Sequence, residues 1–94
     1  MNREAYLEKT KAQLDKWNAD LTGLEAKARE AKIDAKSRYD SEIASIRARI
    51  HELQQKADEI RNANEDAWGD LKQGAEEAWN RVQTAVDRAM SEFK

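Results

Sequence analysis

Apolar side chains recur along this chain at steps of three and four residues. From Leu7 they run through Leu14, Trp17, Leu21, Leu24, Ala28, Ala31 and Ala35, with Thr10 the one polar member. Such a seam is the a/d stripe of a coiled-coil heptad. Carried on unchanged it would place Arg38, Glu42, Ser45 and Arg49 inside. Instead the stripe moves to Tyr39, Ile43, Ile46, Ile50, Leu53, Ala57 and Ile60. The steps from Ala35 to Ile46 are four, four and three, an eleven-residue interval. That interval lets a helix run on while its supercoil relaxes. Residues 37–41 contain no glycine or proline, so one helix over about 3–61 is predicted.

A break is expected at about 62–65. Asparagine is a poor helix former and a good cap. Asn62 with Glu65 three residues on resembles a capping box, and Glu65 and Asp66 suit the first turn of a new helix. Gly69 and Gly74 loosen the segment further, each at about 1 kcal/mol relative to alanine. Asn64 also falls on the seam, where a buried asparagine would set register within an unbroken helix. Beyond the break a second helix, over about 65–93, carries Trp68, Leu71, Ala75, Ala78, Trp79, Val82, Val86, Ala89, Met90 and Phe93. This stripe is wider than a two-per-heptad seam, so it should meet more than one neighbour.

The expected fold class is all-α, one coiled-coil domain over residues 1–94 built of a long helix and a shorter C-terminal one. A helix over 3–61 would be about 90 Å long and one over 65–93 about 43 Å, so two short helices end to end match one long one. An antiparallel, four-helix-like dimer follows. The alternative is a single continuous helix, about 140 Å long, in a parallel coiled coil. Glu25–Arg29, Asp34–Arg38, Glu52–Lys56 and Glu77–Arg81 stand at four-residue spacing. Each such pair adds only about 0.2–0.5 kcal/mol.

Composition agrees with helices: 38 % charged, 39 % hydrophobic, three glycines and no proline. Net charge is −2. Residues 1–36 carry eight basic and seven acidic groups, residues 37–64 five of each, and residues 65–94 four and seven. No segment has the basic stripe that phosphate neutralisation needs, so no nucleic-acid partner is expected. The absence of cysteine excludes disulfides and thiolate sites. No apolar run approaches the roughly 20 residues of a membrane span, and Met1–Glu8 lacks the apolar stretch of a signal peptide. A cytoplasmic, soluble protein is the plain expectation.

Candidate chemistry is sparse. His51 is the only histidine, and its helical neighbours Arg47, Ala48, Gln54 and Gln55 offer no metal partner, so it reads as a solvated flank residue. Glu76-Glu77 reads as a solvated face. No Glu-x-x-His pair, nucleophile–base set or glycine-rich phosphate loop occurs. The chain is therefore expected not to be an enzyme, with no cofactor and no metal. Trp17, Trp68 and Trp79 carry the most information. Trp68 and Trp79 are eleven residues apart and share a helix face. Core anchoring is the leading reading for them. A docking face for a partner protein comes second. A lipid-surface helix comes last, because the negative C-terminal segment lacks the lysine and arginine such helices favour.

The opening Asn2-Arg3-Glu4-Ala5-Tyr6-Leu7-Glu8-Lys9, the Trp17 seam, Asp66-Ala67-Trp68-Gly69-Asp70-Leu71-Lys72 and Glu77-Ala78-Trp79 together resemble short bacterial coiled-coil proteins of stress response. The resemblance covers nearly the whole chain, and the repeated Ala-Trp pairs are its most distinctive part. It implies a small soluble bacterial protein and supplies no functional residues. The expected role is structural and stress-associated, through homo-oligomerisation, with a dimer favoured. The alternatives are an adaptor that binds a partner through the tryptophan face and a lipid-surface protein.

Overall fold

In a computed structural model that describes residues 2–93, the chain is all-α, three helices packed side by side. Helix α1 is Arg3–Glu30, α2 is Ile33–Asn62 and α3 is Trp68–Glu92. At about 1.5 Å per residue they are about 42, 45 and 37 Å long, and the Cα envelope measures 51 × 19 × 17 Å. α2 runs antiparallel to both others, so α1 and α3 are parallel.

Only α1 starts on a side-chain cap. The Asn2 side chain accepts from the Ala5 N–H at 2.7 Å and caps α1. Neither Lys32, before α2, nor Ala67, before α3, makes a side-chain cap. The Asn64 carbonyl instead accepts from Ala67 and Trp68 at 2.9 and 3.2 Å, closing a turn over residues 65–67. α3 therefore starts at Trp68, three residues later than the charge pattern predicts. The Asn62–Glu65 capping box does not form, because Asn62 is still the last residue of α2. Glu65 pairs with Arg3 at 3.1 Å, and Arg3 also donates to the Ala63 carbonyl at 2.5 Å. Asn64 is exposed, which rules out a buried register-setter at that position.

The long helix predicted over 3–61 is not one helix. The chain turns at Ala31 and Lys32, both extended, with φ,ψ of −74°, 151° and −67°, 158°. Nothing local demands the turn. It contains no glycine or proline, and no described residue other than glycine has positive φ. Its cause is tertiary: folding α1 back buries Tyr6, Leu14, Trp17, Leu21 and Leu24 against the rest of the chain. Full burial of such side chains is worth about 1.5–3 kcal/mol each, which outweighs the few helical hydrogen bonds lost.

One continuous core results. Trp17, Leu24, Ile46, Leu53, Ile60 and Val82 are its largest fully buried apolar side chains. Thr10 is buried among them, and its hydroxyl donates to the Tyr6 carbonyl at 2.8 Å, so a polar residue on the seam is satisfied by its own helix. The charged residues also depart from the local pairs predicted for them. Glu25 reaches Arg47 on α2 at 3.2 Å, Arg38 reaches Glu92 on α3 at 2.6 Å, and Glu52 pairs with Arg81 across the same interface. Glu42 and Arg88 add a further α2–α3 pair at 3.3 Å. These groups flank the seam, so a neighbouring helix offers them a partner that an isolated helix does not. Exposed pairs of this kind contribute at most about 1 kcal/mol each.

Gly23 and Gly74 lie inside α1 and α3, and a Cβ added at either would meet no atom within 4 Å. Gly23→Ala and Gly74→Ala should each raise the unfolding free energy by about 0.5–1 kcal/mol, read from urea denaturation. No gain at either position would mean that the helices are not continuous there.

Candidate functional site: the aromatic rungs between the first and third helices

The backbones of α1 and α3 make far fewer close approaches than those of the other two helix pairs. Large rings span the space between them. Tyr6 meets Trp68 with ring centroids 6.3 Å apart and planes tilted by 38°. Trp17 meets Trp79 edge-on, at 5.4 Å and 72°. Within each helix the two rung residues are eleven positions apart, three turns, so parallel helices of equal rise bring both rungs level. Such pairs add about 0.5–1.5 kcal/mol each beyond the area they bury. Lys9 lies over the Trp79 ring at 5.6 Å and Lys72 over the Tyr6 ring at 5.4 Å, placing a cation beside each rung. A third pair, Tyr39 on Phe93, stacks at 3.9 Å and 20° and ties the start of α2 to the end of α3.

Tyr6 belongs to this site although the seam begins one residue later, at Leu7. Tyr6 is 4 % exposed, while Leu7 is only half-buried. The missed signal is the spacing itself: Tyr6–Trp17 repeats the eleven-residue interval of Trp68–Trp79.

The Tyr6 hydroxyl is buried and has no hydrogen-bond partner among the described residues. Burial, and secondarily the Glu76 carboxylate, pushes its pKa above the ordinary value of 10.0. Beside it a groove of about 190 Å³ opens between α1 and α3, lined by Tyr6, Lys9, Glu76, Trp79 and Asn80. These residues supply an aromatic wall, an ammonium and a carboxylate. They include neither a nucleophile activated by a base nor a donor pair aimed at a reacting oxygen.

The remaining seam residues separate into two groups. Leu14, Trp17, Leu21, Leu24, Ile43, Ile46, Ile50, Leu53, Ile60, Val82 and Val86 are buried within the single chain. Leu7, Tyr39, Trp68, Leu71, Trp79 and Phe93 are half-buried at its margins. Met90, placed on the stripe by its spacing, is 39 % exposed, because Ala89 and Val86 already fill the inward face of the last turns. Trp68 and Trp79 do share a face, and that face is turned to Tyr6 and Trp17 of α1. His51 is exposed on the outer side of α2, one turn from Arg47 and Ala48. Glu76 and Glu77 are exposed as well. Among the described residues no group of three or more acidic or histidine side chains could hold a metal ion. No described helix is long and apolar enough to cross a membrane.

Trp17→Ala should cost about 3–5 kcal/mol of stability, and Leu71→Ala clearly less, since only Trp17 is fully enclosed. Equal losses would sink that ranking. Tyr6→Phe removes an unpaired buried hydroxyl, whose burial costs about 1–3 kcal/mol. The variant should match or exceed the parent at neutral pH. The raised pKa of the folded state means the parent loses stability as pH climbs above 10 and through the folded value. Urea midpoints at neutral and strongly alkaline pH should therefore fall further for the parent than for Tyr6→Phe. Parallel falls would place the hydroxyl in water.

No family model, no curated protein and no solved structure matches this sequence.

Proposed function

We propose that this chain is a non-catalytic helical protein that assembles with copies of itself, in a structural, stress-associated role. The observation that carries the reading is an apolar stripe that the single chain leaves half-covered where it passes the α1–α2 turn. Ala28 and Ile43 are buried, while Ala31, Ala35 and Tyr39 between them are half-buried. The sequence runs the stripe straight through this stretch, and the first turns of α2 have no length of α1 opposite them. A second copy would supply the missing cover. The non-catalytic part is supported by the side-chain inventory: one histidine, no cysteine and carboxylates interleaved with lysine and arginine.

Docking of a partner protein on the tryptophan face of α3 ranks lower, because Tyr6 and Trp17 occupy that face and would have to leave first. Binding of α3 to a lipid surface meets the same obstacle. The stress association rests on the resemblance, over nearly the whole chain, to short bacterial coiled-coil proteins of stress response. It is tested separately by the abundance of the protein in its source cells under osmotic, heat and oxidative challenge. A level unmoved by all three removes that half of the reading.

Static light scattering across a concentration series checks the assembly half. A mass of two chains or more at tens of micromolar is expected. A single-chain mass up to millimolar concentration would overturn self-assembly.

A further inference from the structure

The turn between α1 and α2 is two residues long, and no side chain among the described residues holds it. The Ala31 N–H donates to the Ala28 carbonyl at 3.2 Å, and Lys32 makes no side-chain cap. The flanking residues 24–30 and 33–38 contain neither glycine nor proline, and the stretch is rich in the best helix formers. If Ala31 and Lys32 took helical dihedrals, α1 and α2 would join into one helix over 3–62, about 90 Å long. α1 would leave its groove on α2 and α3, and the core would lie open.

We propose that two copies exchange α1. The hinge straightens, and α1 of each chain enters the α2–α3 groove of the other. This rests on the self-assembly reading and names its interface. The native register supports it. Glu25 stands opposite Arg47, and Ala28 and Ile43 line one groove between the same two helices. Leu14 and Asn18 share another with Asp58 and Gln54. Two straight helices that keep these pairings lie antiparallel, with their two-fold axis beside residues 35–36.

Two consequences agree with that placement. Ala31, Ala35 and Tyr39, half-covered in the single chain, come to lie at the axis against their counterparts, so the stripe closes. α3 ends with Phe93 stacked on Tyr39, only three to four residues from the axis. At about 1.5 Å per residue each α3 stops about 5 Å short of the axis. The two α3 helices then abut without overlapping, and a three-helix cross-section continues through the whole dimer. Every core contact of α1, including Trp17 on Trp79, is re-formed between chains. Short hinges between exchangeable elements are where such swaps arise.

The chain has no cysteine, so introduced ones report cleanly. In the Glu25→Cys, Arg47→Cys double variant a short bis-maleimide bridges the two positions. Applied to the dimer fraction from size exclusion, it should yield covalent dimers on a denaturing gel. Small-angle scattering of that fraction should give a longest dimension of about 100 Å, because residue 3 of each chain lies about 33 residues from the axis. Lys32→Pro suits the folded-back hinge, where φ is −67° and the preceding residue is extended, but it forbids a helix through residue 32. It should keep the helical circular dichroism and cut the dimer fraction at least tenfold. A dimer that cross-links only within chains would overturn the exchange and leave self-assembly standing, whether or not the proline variant folds. A folded Lys32→Pro protein that dimerises as the parent does would likewise overturn the exchange alone. A parent that is monomeric up to millimolar concentration would overturn both.

Discussion

Trp17 sits where all three helices meet, and the packing of α1 depends on it. The ring is 1 % exposed and meets Trp79 edge-on, in a space where the backbones of α1 and α3 stay apart. A smaller residue there would leave the gap between the parallel helices unfilled at its middle, and α1 would keep only the contact near its N-terminus as an aromatic tie to α3. The Tyr6–Trp68 contact repeats the arrangement three turns away, and the Arg3 contacts to Ala63 and Glu65 lock the same end. The fold is thus a strong α2–α3 hairpin to which a third helix is attached through large rings. That division of labour is also what allows α1 to be considered as a separable element.

The helical class and the composition of the core were legible because periodicity at 3.6 residues is imposed by burial itself. Ile43, Ile46, Ile50 and Leu53 can face only one way on a helix, and a sequence records that directly. The turn after Asn62 was legible for a different reason: asparagines and acidic residues mark local backbone preferences. The turn at Ala31–Lys32 has no such mark. It depends on what α1 gains by lying against α2 and α3, and no window of local sequence contains that quantity. Lys27 and Arg29 before it and Asp34 after it do suit a helix end and a helix start. In a chain so rich in alternating charge that signal does not stand out.

The candidate site shows the same boundary between local and tertiary information. Spacing put Trp68 and Trp79 on one face, yet what they face was settled by α1 folding back. Glu25, Arg38, Glu52 and Arg81 each had a plausible partner four residues away and found another across an interface. Tyr6 was hidden behind Leu7, because a heptad reading starts wherever the first leucine falls. The orphaned Tyr6 hydroxyl, by contrast, could only be found once the surroundings of the ring were known.

The eleven-residue separation of the rungs limits how such a chain can change length. Inserting one residue between Tyr6 and Trp17 would turn everything beyond it by about 100° and carry Trp17 out of the core. Inserting eleven would turn it by only about 20°, and a matching insertion between Trp68 and Trp79 would restore both rungs. α2, which runs alongside both, would have to grow by the same three turns. Variants of this architecture can therefore lengthen or shorten in whole blocks of about two or three turns, seven or eleven residues, taken in all three helices together, while single-residue insertions and deletions are confined to the turns at 31–32 and 63–67.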